Sequence, residues 1–270
     1  MTPKEKAEAL RALHARGRAF VIPNPWDVGS ARLLAALGFE ALATTSVGLS
    51  FSRGERLARV GREETLAHCR EIVAATDLPV SADLENGFGD RPEDAAETIR
   101  GAIASGLAGG SIEDASGRAD DPIYDLGLAV EKVRATAEAV RGQEVPFQLV
   151  ARAENFLFGR PDLADTIRRL QAFQEAGADV LYAPGLSTAD EVRAVVSSVD
   201  RPVNVVMGLV PSDLTVADLD TLGVARISIG SALARRAYGA VLAAGREMLE
   251  AGTFGFALEA APLRDLEAMF

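Results

Sequence analysis

Residues 79–112, PVSADLENGFGDRPEDAAETIRGAIASGLAGGSI, hold one complete turn of the pattern that decides the fold. Pro79–Ala82 is a short apolar run after a proline, which reads as a strand. The acidic, glycine-rich DLENGFGD follows it as a turn. Pro92–Ser105 then spaces Ala95, Ala96, Ile99, Ala102 and Ile103 at helical intervals, with proline at a helix start and Gly106 where a left-handed C-cap is wanted. Gly110–Ile112 resumes as a strand. Strand, helix and strand in this order make a parallel βαβ unit.

Outward from this unit the same phrase recurs through the chain. Candidate strands are Phe20–Ile22, Ala41–Thr44, Pro79–Ala82, Gly110–Ile112, Phe147–Ala151, Asp179–Ala183, Pro202–Val206 and Arg226–Ile229. Helical patterns cover Asp27–Leu37, Arg62–Ala75, Pro92–Ser105, Asp125–Arg141, Asp162–Ala176, Thr188–Val199, Thr215–Leu222 and Ser231–Ala251. Gly38, Gly142, Gly177 and Gly223 close helices as Gly106 does. Eight such units predict an α/β fold of the (β/α)8 (TIM) barrel type, formed by residues 1–270 as one domain. No GxGxxG follows the first strand, which weighs against a doubly wound sheet. Residues 252–270 lie beyond the eighth unit, and this extension, ending in an amphipathic Leu263–Phe270, suits packing on a neighbouring subunit.

The 270 residues are 48% hydrophobic and 25% charged, enough for a large core. No apolar run approaches the ~18 residues of a spanning helix, so no membrane association is expected. The N-terminal MTPKEKAEALRALHARG is charged and helical in pattern, without a signal-peptide core. Cys69 is the single cysteine, which excludes an internal disulfide and a Cys-rich zinc site and makes a reducing cytoplasm the expected location. A net charge of −11 opposes nucleic-acid binding but not a small anionic substrate held by a metal and arginines.

Residues just after the strands form the rim where barrel enzymes place their chemistry. Acids gather there after the third and fourth strands. Asp83 and Glu85 stand two apart on what reads as an extended segment, so both are expected on one face. Glu113, after the adjacent strand, can reach the same point. Three hard oxygen donors suit Mg2+, whereas without a cation they would repel and one would protonate; helix capping is the plainer alternative. Asp114 reads as structural. Arg152 ends the apolar strand FQLVA and needs an anion, either Glu154 or a substrate carboxylate. Thr44–Ser50, TTSVGLS, reads as a small-residue loop whose amides could cradle a carboxylate. Gly208 and Gly230–Ser231 occupy the usual phosphate position of barrels, though glycine and serine before a helix are also ordinary caps. Ala115–Tyr124 reads as a lid, with Arg118 and Tyr124 its plausible acid/base or anchoring groups. His14 and His68 fall in helices away from the rim, Cys69 reads as packed, and Trp26 as packed at the mouth.

Taken in order, IPNPWDVGSARLLAALGFEALATTS, SADLENGFGD, GGSIEDASG, VARAENF, AGADVLYAPGL and ISIGSALA resemble the isocitrate lyase/phosphoenolpyruvate mutase superfamily over nearly the whole chain. The resemblance implies a (β/α)8 barrel, Mg2+ as cofactor, and cleavage or formation of C–C or P–C bonds in 2-oxo or 2-hydroxy acids. It also implies a homo-oligomer, a dimer or a homotetramer built from dimers that often exchange the final helix. By position it puts metal-site acids at Asp83, Glu85 and Glu113, with Glu85 where the family usually has aspartate. The substrate carboxylate would be held by Arg152 and by the backbone of Ser46, Val47 and Gly48.

The sequence departs from that pattern in places. Isocitrate and methylisocitrate lyases carry a Lys-Arg-Cys-Gly-His loop after the fourth strand, where this chain has Asp114-Ala-Ser-Gly-Arg118. Leu57 stands at the usual aspartate of the second loop, and Ala183-Pro184 replaces a histidine. The expected activity is therefore a Mg2+-dependent, decarboxylase-like C–C lyase on a small 2-oxo or 2-hydroxy carboxylic acid, working through an enolate, with Tyr124 or a metal-bound water as the candidate proton donor. The alternatives are a phosphonopyruvate/phosphoenolpyruvate-type P–C bond enzyme and a non-catalytic carboxylate binder.

Overall fold

The computed structural model describes residues 1–57 and 59–270. Helix α1 (Pro3–Ala15) precedes the barrel. The chain then runs β1 (Phe20–Ile22), α2 (Val28–Ala36), β2 (Leu42–Ala43), α3 (Ser46–Ser52), α4 (Arg62–Ala75), β3 (Val80–Asp83), α5 (Pro92–Ala104), β4 (Gly109–Glu113) and α6 (Leu126–Arg141). It continues with β5 (Gln148–Arg152), α7 (Leu163–Ala176), β6 (Val180–Tyr182), α8 (Ala189–Ser197), β7 (Val203–Val206), α9 (Val216–Thr221), β8 (Arg226–Ser228), α10 (Ala232–Arg246) and a short α11 (Leu263–Glu267). All eight strands are parallel, ordered β1-β8-β7-β6-β5-β4-β3-β2. This is the expected (β/α)8 barrel.

Between β1 and β2 the barrel is joined differently from its other seven edges. Ala43 N–H donates to Pro23 O at 3.0 Å. The buried Asn24 side chain spans the same edge: its Nδ2 donates to Thr44 O, and its Oδ1 accepts from Ile229 N, each at 3.0 Å. One amide side chain thereby ties the ends of β1, β2 and β8.

Local sequence explains the helix starts. Thr2, Asp27, Thr188 and Thr215 each form a reciprocal capping box, and Asp162 accepts from the amide of Asp165. The helices bury their apolar stripes against the outer faces of the strands, as Ile99, Leu170, Phe173 and Val195 do in one continuous core. Inside the barrel, Val150, Val180, Tyr182 and Val206 pack together. Helix α1 closes the N-terminal end, where Ala7 and Leu10 meet Phe20, Ile22, Ala41, Ala43 and Ala108. Lys6 Nζ reaches Thr76 O at 2.7 Å and fixes this plug to the approach to β3.

Beyond β8 the surface changes character. Leu249 and Leu258 are 89% and 91% exposed, and Val241, Leu242, Phe254, Leu263 and Phe270 are also largely uncovered. Among the described residues no helix is long and apolar enough to cross a membrane.

His14 is buried under the barrel, edge-on to Phe20 with ring centroids 5.2 Å apart, and neither ring nitrogen has a hydrogen-bond partner. Burial, with the Arg226 charge adding to it, pushes its pKa down to about 3. Between roughly pH 6.5 and that value the unfolded chain takes up a proton that the folded chain refuses, so stability present above pH 6.5 is lost on acidification. The His14→Phe protein should therefore lose about 2 kcal/mol less stability than the wild type between pH 7 and pH 5. Urea unfolding at the two pH values measures this, and equal losses would exclude His14 as a contributor.

Candidate active site

A cavity of about 630 Å3 opens at the C-terminal end of the barrel. Its wall carries Asp83, Glu85, Glu113, Arg152 and Glu154, brought together from the ends of β3, β4 and β5. Arg152 is central. Its Nη1 stands 3.0 Å from Asp83 Oδ1 and 3.2 Å from Glu113 Oε2, and its Nε 2.7 Å from Glu154 Oε1. The guanidinium also lies over the Tyr182 ring, 4.9 Å from its centroid. Of the two anion partners read for Arg152, Glu154 is in place on Nε, and Nη1 is taken up by Asp83 and Glu113.

Four carboxylates surround one guanidinium, and the imbalance shows in their protonation. Burial pushes Glu113 well above the usual carboxylate range, against the pull of Arg152. Burial and the neighbouring Asp83 push Glu85 up to about 7, and burial raises Glu154 to about 7. Arg152 is held above its ordinary value because Glu154, Glu113 and Asp83 together outweigh its own desolvation. These carboxylates are hard oxygen donors with more negative charge than one arginine neutralises. That donor set fits a divalent cation held by Asp83, Glu85 and Glu113. Among the described residues no three acidic, histidine or cysteine side chains are already grouped as a metal cage; Arg152 Nη1 bridges Asp83 and Glu113.

Several expectations are corrected by the geometry. Asp83 and Glu85 do not share an extended segment. Strand β3 ends at Asp83, and Glu85 is left-handed with φ 49°. The amide of Glu113 donates to Glu85 O at 3.0 Å and holds this turn against the next strand. Ser46, Val47 and Gly48 are not in an open loop but in the first turn of α3, whose N-cap Thr45 accepts from Gly48 N. Ser46 spends its amide and hydroxyl on Asp83 Oδ2, at 3.1 and 2.8 Å. Ser46 and Val47 line the cavity, whereas Gly48 lies behind it, where an added Cβ would meet Thr45 Cγ2 and Trp26 Cβ at 2.6 Å.

Tyr124 is not brought to the cavity wall. It is buried, with its hydroxyl donating to Asp90 Oδ1 at 2.5 Å and accepting from Asn86 Nδ2 at 3.0 Å. Burial and Asp90 push its phenol far up, away from proton donation near neutrality. The segment before it forms a short hairpin, with Ala115 bridging Ile123. Its Gly117, Arg118 and Pro122 lie over the cavity. Arg118 is engaged by Asp90 and Asp121. Asp114 is structural, as read: it accepts from Glu154 N and from Arg169 Nη1, which steadies the strand carrying Arg152. His68 is buried in α4, its Nε2 2.9 Å from Trp26 O. Gly230 and Ser231 reach the wall but Gly208 does not; its carbonyl accepts from Arg235.

Sequence reasoning did not single out Arg226, which lines the bottom of the cavity. The available signal was its phase: Arg226 and Ser228 alternate with Ile227 and so face the interior, an unusual place for a cation.

Residues 10–249 match the model of the phosphoenolpyruvate phosphomutase family. The chain belongs to that family, within the isocitrate lyase/phosphoenolpyruvate mutase superfamily. A crystal structure from Burkholderia cenocepacia J2315, assigned no more finely than lyase or mutase, is 56% identical and covers 98% of this chain and 95% of its own, with a TM-score of 0.96. An oxaloacetate decarboxylase of Bradyrhizobium sp. (strain ORS 278) is 27% identical over 85% of this chain and 79% of its own. A phosphonopyruvate hydrolase solved with oxalate and Mg2+ is 25% identical, covering 100% and 95%, with a TM-score of 0.86. The relatives include lyases and mutases of the superfamily, and this chain is an enzyme of the lyase or mutase type.

The left-handed backbone at Glu85 costs stability that glycine would recover. Glu85→Gly should raise the unfolding free energy by about 1 kcal/mol while removing one acid from the cluster. Urea denaturation measures it, and a less stable variant would show that Glu85 repays its strain with contacts.

Proposed function

We propose that the enzyme is a Mg2+-dependent carbon–carbon lyase of decarboxylase type, acting on a small 2-oxo or 2-hydroxy carboxylic acid. The observation that carries this is Arg152 set among Asp83, Glu113 and Glu154 on the wall of the barrel-mouth cavity. The similarity to an oxaloacetate decarboxylase and to a hydrolase solved with oxalate and Mg2+ supports the same chemistry. Asp83, Glu85 and Glu113 would hold the divalent cation, which would supply Lewis-acid stabilisation for the negative charge that C3–C4 cleavage of a 2-oxo acid leaves on its C2 oxygen.

The chain's own groups do the rest. With the rim acids neutralised, the Nη edge of Arg152 receives the C1 carboxylate, while Glu154 and the Tyr182 ring keep the guanidinium in one orientation. Ser46 holds Asp83 through two hydrogen bonds and so fixes the acid's orientation. The hairpin 115–123 covers the cavity and limits water. Cysteine-dependent lyase chemistry has no support, since Cys69 is fully buried in α4 with its thiol pushed up to about 12 by burial. Leu57 presents an apolar side chain to the cavity, which favours the C–C reading over P–C bond chemistry.

Calorimetry with Mg2+ and oxalate, followed by pyruvate release from a panel of dicarboxylic 2-oxo acids, tests this reading. Asp83→Ala should abolish Mg2+-dependent oxalate binding, and Arg152→Lys should lower kcat/KM by about 100-fold through loss of the planar fork. Unchanged Mg2+ and oxalate binding in Asp83→Ala would remove its foundation.

We also propose that the chain forms a homo-oligomer through the apolar surface of α10 and residues 247–270. Replacing Leu249 and Phe254 together by aspartate should yield a smaller species in light scattering. A wild-type chain that is already monomeric would overturn this.

A further inference from the structure

Arg226 is a cation without a counter-charge. It is 95% removed from solvent on the inner face of β8, and among the described residues no acidic side chain comes within 4.0 Å of its guanidinium. Among the described residues its one side-chain hydrogen bond is a long one, from Nη1 to Ser81 Oγ at 3.5 Å, and Nε is buried with no partner. The strand neighbour paired with it, Asn204, also leaves Oδ1 buried and unpartnered while its Nδ2 donates to Ser228 Oγ at 3.0 Å. Burial pushes the Arg226 guanidinium down to about 10, with Tyr182 opposing and Arg152 adding to the effect. A buried arginine normally finds a carboxylate or phosphate, because an uncompensated charge in a protein interior is costly.

The cavity reaches this cation. Its wall runs from the rim acids past Ala43, Ser111 and Ser228 to Arg226, and these small side chains leave the upper barrel open. Ser81, which Arg226 touches, and Asp83 of the rim cluster lie two residues apart on one face of β3. That separation is about 6.6 Å along the strand, close to the reach of a four-carbon diacid.

We propose that Arg226 is a substrate-binding residue that receives the distal carboxylate of a dicarboxylic 2-oxo or 2-hydroxy acid whose other end lies at the Asp83–Glu113–Arg152 cluster. This rests on the reading of that cluster as the substrate site and narrows it to dicarboxylates. The two arginines then bracket the substrate, one at each end. A monocarboxylic acid of the same head group leaves Arg226 unpaired.

Calorimetry on the full chain with Mg2+ tests this with oxalate, lactate and malate, the last two differing by the distal carboxylate. The wild type should bind malate about 30-fold or more tightly than lactate. Arg226→Gln should abolish that preference and leave oxalate affinity within about twofold, whereas Arg226→Lys should keep part of the preference. Asn204→Asp, which places an acid beside Arg226 inside the protein, should likewise abolish it even if Arg226→Gln fails to fold. A wild type indifferent between malate and lactate, an Arg226→Gln or Asn204→Asp protein that keeps the preference, or an Arg226→Gln protein that loses oxalate in equal measure would overturn the proposal. Binding alone is read, so a protein that prefers malate yet releases no pyruvate from any diacid sinks the lyase reading and leaves the role of Arg226 standing.

Discussion

The molecule is organised around a local excess of negative charge that it does not neutralise by itself. Four carboxylates meet one guanidinium at the ends of β3, β4 and β5, and three of these residues are pinned by a neighbouring group: Asp83 by Ser46, the Glu85 carbonyl by the Glu113 amide, and the Glu154 amide by Asp114. Like charges at this density are tolerable only where the fold over-determines their positions. The left-handed turn at Glu85 is the local sign of that constraint, an acid kept where glycine would fit the backbone better.

The scaffold explains how such a cluster can persist. Asp114 and Arg169 form a buried pair behind it, and Asp165 holds the other side of the same arginine, so the β5 end is anchored to α7. A second network, Asp90 with Tyr124, Asn86 and Arg118, secures the base of the hairpin over the cavity. The first network stays behind the cavity, while the second reaches its wall through Asn86 and Arg118. Both convert polar residues that look reactive in the sequence into struts.

The fold was fully legible before any coordinates, because apolar periodicity and glycine punctuation are local signals and this chain repeats them eight times. The rim acids and Arg152 were legible for the same reason: their place follows from strand phase. Three things were not. The helical state of Ser46–Ser52 was hidden because serine and glycine favour turns and caps as readily as a short helix, and what sets it here is the Thr45 cap and the contact with Asp83. The bend at Glu85 breaks the alternation rule one residue after the strand ends, which no pattern announces. The turning of Tyr124 away from the cavity depends on Asp90, which is 34 positions away in the chain. Long-range polar pairing of this kind leaves no periodic trace.

Barrel closure and site assembly share one joint. The first and second strands meet through Asn24 and the Pro23–Ala43 bond, and the chain leaving that joint enters directly the helix whose first residue grips Asp83. Any breathing of the cylinder along this line would loosen the acid's clasp in the same movement. Catalytic competence is thus a property of the closed ring as a whole, with a single buried asparagine on the cavity wall joining the seam to the site.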